Sequence, residues 1–268
     1  MINVKNESYK IILIDTCIVS EMLKRKGNLS KNIFSKILDH RYPCFSFDTI
    51  IELKRAPKVY EEFIDVFSFL PAFILKNSVL LIEEEILNYG NPKVIDPVIT
   101  ILHRNPKKAE NFDVKAFLNS HLTKEYLEKN QEEYKMALES MLDLRNGYPP
   151  KNGNYTLKEI EEFVELVTYK QLVVRDKSWC QDMLNKKKTI YAEKFPSIQI
   201  MCYLAFYKFY INNRKPKLSD VTDLLIATSY PYIDEVITEK NQSEMVRQIQ
   251  KKHKFCNNLT TYTIKDFI

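Results

Sequence analysis

The stretch Tyr9-Lys10-Ile11-Ile12-Leu13-Ile14-Asp15-Thr16-Cys17-Ile18-Val19-Ser20-Glu21-Met22-Leu23 decides how the chain is read. Tyr9–Ile14 is a short, isoleucine-rich apolar run, as suits a strand covered on both faces in a parallel sheet. The run ends at Asp15, and Ile18–Lys26 follows with a helical pattern that Gly27 closes. Strand, carboxylate and helix in that order open an α/β unit. A charge directly behind a buried strand is unfavourable without a partner. Asp15 is therefore either the N-cap of the first helix or a functional carboxylate.

Working outward, Ser30–His40 reads as a second helix, Cys44–Phe47 as a short strand and Thr49–Lys54 as a helix. Val59–Phe69 adds further helix, and Ser78–Ile82 is either a third strand or a helix start, because its period does not decide. The other end of the chain repeats the pattern. Asp220–Tyr230 is helical up to Pro231, Ile233–Thr238 a strand, Ser243–His253 a basic helix and Leu259–Ile264 a last strand. Between them, 91–213 shows amphipathic helices (Lys124–Asn146, Leu157–Val174, Lys177–Lys187, Ser197–Asn212) and no strand-like run. Tyr148–Asn154 reads as a linker, and Met136, Met141, Tyr169 and Trp179 as core residues. The expected architecture is an α/β domain with a mainly parallel sheet built from 1–90 and 214–268, and 91–213 as a helical insertion.

Composition limits the function. At 268 residues, with 45% hydrophobic and 28% charged residues, the chain is an ordinary globular one near the size limit of a single core, roughly 250–300 residues. Its four glycines, Gly27, Gly90, Gly147 and Gly153, fit neither G-x-G-x-x-G nor G-x-x-x-x-G-K. Glycine-loop dinucleotide, P-loop and kinase chemistry are thereby excluded. A net charge of +5 with pI near 8.7 permits a polyanionic partner without requiring one. Five cysteines without a C-x-x-C pair favour reduced thiols and a cytoplasmic location. Ile11–Ile14 is too short for a signal sequence, and Ile198–Ile211 is too short to span a bilayer, so no membrane association is expected.

Carboxylates recur where strands end or helices begin: Asp15, Glu52, Asp220 with Asp223, and Glu239. Sites in open α/β sheets form outside the carboxyl ends of the strands. Carboxylates gathered there repel by about 4 kcal/mol per pair at 4 Å and an effective dielectric near 20. Mg²⁺ or Mn²⁺ would relieve that repulsion and activate water. Each acid also has a purely structural reading. Thr49-x-x-Glu52 matches a capping box, Asp220 an N-cap, Asp223 a first-turn charge and Glu239 a solvated strand end. Among the basic clusters Arg104–Lys108, Lys186–Lys188, Arg214–Lys217 and Lys251–Lys254, the third follows Phe206-Tyr207-Lys208-Phe209-Tyr210 and precedes Asp220. Its alternatives are contact with single-stranded nucleic acid or an aromatic helix face packed in the core. The four histidines, His40, His103, His121 and His253, are too far apart for a local metal motif.

Ile11–Leu23, Thr49-Ile-Ile-Glu52-Leu, Asp223-Leu-Leu-Ile-Ala-Thr228 and Val236-Ile-Thr238-Glu239 together resemble the acidic motifs of PIN-domain nucleases, across residues 9–56 and 215–268. The resemblance implies a three-layer α/β/α PIN-like fold and a Mg²⁺- or Mn²⁺-dependent endoribonuclease acting on single-stranded or structured RNA. It implies Asp15, Glu52, Asp223 and Glu239 as catalytic metal ligands, and Asp220 as an auxiliary ligand. Thr16 and Thr238 would orient water or phosphate, with Arg214, Lys215 and Lys217 toward substrate. Cys17, Glu239 in place of the more usual aspartate, and the long helical middle depart from the pattern. The rival reading is a catalytically inactive PIN-fold module that binds RNA or protein. Toxin, defence and processing roles stay open, the first two with an antitoxin or defence-system partner. For the fourth acid, Glu239 at the strand's carboxyl end is expected over Asp234 at its start, since five strand residues span roughly 16 Å.

Overall fold

The computed structural model describes residues 2–4, 7–24, 28–67, 72–89, 95–102, 121–151 and 154–268. Gly27, Gly90, His103 and the cluster Arg104–Lys108 lie outside these residues, as does the expected boundary between 90 and 91. So do the side chain of His121 and part of the Tyr148–Asn154 linker. A six-stranded sheet forms the centre. In chain order its strands are β3 (Ile11–Ile14), β4 (Tyr42–Ser46), β5 (Ala72–Leu75), β6 (Val98–Leu102), β7 (Glu235–Ile237) and β8 (Thr260–Tyr262). Their spatial order is β6-β5-β4-β3-β7-β8, parallel except for the β5–β6 pair. A separate hairpin of β1 (Ile2–Val4) and β2 (Glu7–Tyr9) precedes it. Both ends of the chain build one sheet, as the sequence predicts.

The chain runs outward from β3 through β4 to β5, then returns to the other side of β3 as β7. That reversal puts the helices of the two halves on opposite faces. Alternation along the strands divides the core accordingly. Ile12, Ile14, Phe45, Ile74 and Ile237 meet α1 (Thr16–Lys24), α2 (Asn28–Leu38), α3 (Phe47–Leu53) and α4 (Pro57–Phe67). Ile11, Leu13, Cys44, Phe73 and Val236 meet α5 (Ser78–Leu87), α7 (Leu157–Arg175), α9 (Pro196–Phe206) and α11 (Lys240–His253). The helix α10 (Leu218–Ala227) contributes to both layers, Leu224 to one and Val221 to the other. It thus lies across the seam where the sheet reverses.

One open alternative is resolved and one expectation changes. Ser78–Ile82 is the start of α5, and the third parallel strand is Ala72–Leu75 instead. Asn77 accepts a hydrogen bond from the Leu80 N–H and so starts a helix where the period was silent. The interval 91–213 contains a strand, since Val98–Leu102 adds antiparallel to β5. The described helices of the rest of that interval pack on the sheet. With α8 (Lys177–Asn185), they supply much of the core on one face, including Phe163, Phe195 and Phe206 beside Leu13 and Val236, while Tyr134, Ala137 and Leu138 of α6 (His121–Gly147) pack in the other layer. Phe163 lies edge-on to Phe206 at 4.8 Å and to Tyr210 at 5.0 Å. Tyr169 and Trp179 pack against this core, and Met141 against both layers, but Met136 is exposed. No helix among the described residues is long and apolar enough to cross a membrane.

Candidate active site

Strand register levels the key residues before any side chain is considered. Ile14 pairs with Ile237, so Asp15 and Thr238 follow side by side. Leu13 pairs with Cys44, which brings Ser46 to the level of Asp15. All three stand at the carboxyl ends of parallel strands, at the point where strand order reverses, and this is where α/β sheets form sites.

Asp15 is buried. The Thr16 N–H donates to its Oδ1 at 2.7 Å, and the Thr238 hydroxyl donates to its Oδ2. The residue also precedes α1 directly, and its carbonyl accepts from the Ile18 and Val19 N–H groups at 3.0 Å, so it holds the N-cap position. Burial first, then the charge of Asp223, with Glu52 further down, push the Asp15 carboxyl up to about 7. The hydrogen bonds from Thr238 and Thr16 oppose that rise. Glu52 is also raised, chiefly by burial, with Asp223 adding to the effect. It is not part of a capping box. The N-cap of α3 is Ser46, whose hydroxyl accepts from the Asp48 N–H. Thr49 therefore lies inside the helix, and the Glu52 carboxylate is left to face Thr16 and Asp223. Enclosure by protein and the fields of Asp15, Glu239, Asp223 and Glu52 push the Cys17 thiol up, although its side chain still reaches solvent. The charges of Asp15, Glu52, Asp223 and Glu239 are thus all felt at Cys17.

Glu239 is the N-cap of α11, yet its side chain makes no capping hydrogen bond. With Thr238, Cys17, Glu21, Ser243 and Arg247 it lines a cavity of about 620 Å³ between α1 and α11. Asp234 stands before β7, where its carbonyl accepts from the Thr260 N–H at 2.7 Å. The two acids are at opposite ends of the strand, as their spacing predicts.

Asp220 is built into the start of α10. Its Oδ2 accepts from the Lys217 N–H at 2.9 Å, which closes the first turn of α10. Its Oδ1 lies 3.0 Å from the Arg214 guanidinium and 3.6 Å from Lys208 Nζ. The residue is buried, Lys217 rather than Asp220 is the N-cap of α10, and Asp220 Oδ1 makes no hydrogen bond despite its charged neighbours. Arg214 keeps its guanidinium on Asp220 while remaining exposed, as Lys215 and Lys217 are. The aromatic segment Phe206–Tyr210 is no stacking platform, since all five residues are buried.

Two site residues escaped sequence reasoning. Lys208 is 1% exposed and its Nζ donates to Asp223 Oδ2 at 2.6 Å. A single charge inside the apolar run Ile198–Ile211 was its visible signal. Asp48 is buried and binds the Tyr134 hydroxyl at 2.7 Å and the Ser78 N–H at 3.3 Å. It joins α3, α5 and α6 one turn below Glu52, and its own signal was a charge in the apolar run 43–51.

The donors near Asp15 are oxygens, the chemistry that a hard divalent cation selects. Polar atoms close by lack well-formed hydrogen bonds: Thr16 Oγ1, the Tyr230 hydroxyl and both amide atoms of Gln242. Tyr230 feels the charges of Asp15 and Asp223 and lies near Gln242 and Thr238. As the side chains stand, no three Asp, Glu, His or Cys groups among the described residues close around a single ion position. The donor type is the one a hard cation takes, but the described side chains form no group that could hold an ion. Comparison with protein-family models, curated proteins and solved structures returns no significant match to this chain.

Proposed function

We propose that the chain is a PIN-like, Mg²⁺- or Mn²⁺-dependent endoribonuclease of a reducing, cytoplasmic compartment, with its centre at Asp15, Glu52, Asp223 and Glu239. The observation that carries this reading is the convergence of the four acids at the sheet's reversal point, where Asp15 is buried and raised to about 7 by desolvation and by its neighbours. Folding tolerates such an arrangement when a ligand compensates it. The bound ion would supply Lewis acidity and a water acidic enough to attack phosphorus at neutral pH. Asp15, Glu52, Asp223 and Glu239 would hold the ion. Thr238 orients the Asp15 carboxylate through its hydrogen bond. The cavity beside Glu239 carries Glu21, Glu244 and Asp266 against Lys240, Arg247 and Lys265. Its own field therefore gives a phosphate chain little attraction, and exposed Lys215 and Lys217 are placed to bind phosphates away from the scissile bond.

A second reading is favoured by Lys208, which already neutralises Asp223 from inside the fold. On that reading the acids are a paired remnant, and the chain only binds RNA or protein. Sequencing of RNA ends after incubation with purified wild type and Asp15→Asn separates the two. Metal-dependent ends made by the wild type alone support the nuclease. Identical ends from both, or full activity in excess chelator, would reject it.

A further inference from the structure

Two cations beside the acids are committed to them: Lys208 lies 2.6 Å from Asp223, and the Arg214 guanidinium 3.0 Å from Asp220. Arg55 differs. It follows Glu52 by one helical turn, its N–H bonding the Glu52 carbonyl at 3.0 Å. Its Nη1 lies 3.5 Å from the hydroxyl oxygen of Thr222 on α10, the residue before Asp223. Its guanidinium sits over the Tyr134 ring of α6, 5.3 Å from the centroid. That ring is itself fixed, because its hydroxyl donates to buried Asp48 at 2.7 Å. Arg55 thus touches α6 and α10 from the end of α3, with Glu52 on one side and the neighbour of Asp223 on the other. Even so it is exposed, and no described carboxylate lies within 4.0 Å of it.

Resting on the nuclease reading above, we infer that Arg55 is a substrate-binding residue whose guanidinium takes a phosphate of the RNA backbone beside the acidic centre. Carboxylates repel a passing phosphate, so RNA near them needs a positive charge that no acid has already neutralised. A basic residue near a helix C-terminus is favourable in itself, but that role asks only for charge. Arg55 carries more than charge. Stacking over the Tyr134 ring fixes the plane of the guanidinium, and the N–H groups in that plane form the fork that matches two phosphate oxygens. Tyr134 is buried and supports the guanidinium without stacking on a base. A contact to phosphate carries no sequence information, so Arg55 holds and positions RNA of any sequence.

Binding of a fluorescein-labelled oligouridylate is followed by anisotropy across a range of KCl, first with excess chelator and then with Ca²⁺. The proteins are wild type, Arg55→Gln and Lys158→Gln, with circular dichroism as the check on folding. Lys158 is an exposed residue of α7 in the opposite layer, and its substitution removes the same charge. Arg55→Gln should bind more weakly and lower the slope of log affinity against log salt by about 0.7, the share of one single-strand phosphate contact. Lys158→Gln should keep the wild-type slope, and loss of a purely structural arginine would not change it either. In the wild type, bound RNA should slow the modification of Arg55 by phenylglyoxal, read by mass spectrometry, a measurement that needs no variant. An unchanged slope in folded Arg55→Gln, or Arg55 modified equally fast in the complex, would overturn the inference. Absence of RNA binding by the wild type in both conditions would instead refute the RNA-directed reading on which it rests.

Discussion

At Asp15 two hydrogen bonds and two carboxylates pull in opposite directions. Thr16 and Thr238 favour the charged form, while burial, Asp223 and Glu52 oppose it more strongly. Asparagine retains an acceptor oxygen for one of these donors and removes the charge. Without metal at pH 8, Asp15→Asn should therefore melt at or above the wild type, by on the order of 1–3 kcal/mol. Mn²⁺ at 100 times its dissociation constant should stabilise the wild type by about 2.7 kcal/mol and the variant far less. Calorimetric melts with and without metal decide this, and a metal-free variant that melts well below the wild type would reduce Asp15 to a helix cap. The choice between Glu239 and Asp234 belongs to the same scale. Glu239 borders the cavity with an uncommitted side chain. Glu239→Gln should lower cleavage and Mn²⁺ affinity at least tenfold more than Asp234→Asn, at equal foldedness in both assays. The reverse order would relocate the site to the start of β7.

Elements meet through buried polar contacts that the hydrophobic pattern does not announce. Glu85 of α5 faces the first turn of α9, where the Ser197 N–H donates to its Oε1 at 2.8 Å and the Tyr232 hydroxyl donates to the same oxygen. A carboxylate there also benefits from the helix N-terminus. Even so, burial pushes the Glu85 carboxyl up to about 7 from an ordinary 4.5. The folded state thus binds a proton more tightly than the unfolded chain. Its contribution is complete below the unfolded value of 4.5 and is lost as pH rises through about 7. Glutamine preserves the accepting oxygen without the charge. Glu85→Gln should flatten the fall in stability between pH 4.5 and 7, and at pH 8 it should exceed the wild type by about 1–3 kcal/mol. Urea titrations across that range measure it. An unchanged pH profile would mean that Glu85 remains ionised in the fold.

At the scale of the whole molecule, described helices of the middle share a buried core with the sheet. Ile160, Phe163, Phe195 and Phe206 share one buried cluster with Leu13, Cys44 and Val236 of the sheet. Trp179, the one tryptophan, lies in α8 and stacks edge-on to Phe195 at 5.8 Å. Its fluorescence reports the middle of the chain, while far-ultraviolet circular dichroism reports all of it. The two unfolding curves should coincide in wild type. Phe163→Ala should shift both together by about 3–5 kcal/mol. Separated transitions would restore an independent insertion.

Several features were legible in the amino-acid order because they depend on local pattern. The run Ile11–Ile14 ending in Asp15 marked the central strand, since only a strand buried on both faces is apolar without alternation. The order of strands and helices at the two chain ends indicated one parallel sheet. Charges placed directly after apolar runs marked Asp15 and Glu239. Other features depended on contacts that no spacing encodes. Ser46, not Thr49, caps α3 because the strand ends one residue earlier, and this frees Glu52. Val98–Leu102 is a strand because β5 offers it an open edge. Asp220 is turned to Arg214 and Lys208, which lie 6 and 12 residues before it across a helix end and a turn. Most of all, the sequence left the segment around Lys208 between a nucleic-acid contact and a packed aromatic helix face, and only the tertiary structure pairs its ammonium with Asp223. Pattern determines which residues are buried together, whereas the pairing of buried charges is settled by the tertiary structure, because an ion pair depends on ångström distances between segments that the chain alone leaves unspecified.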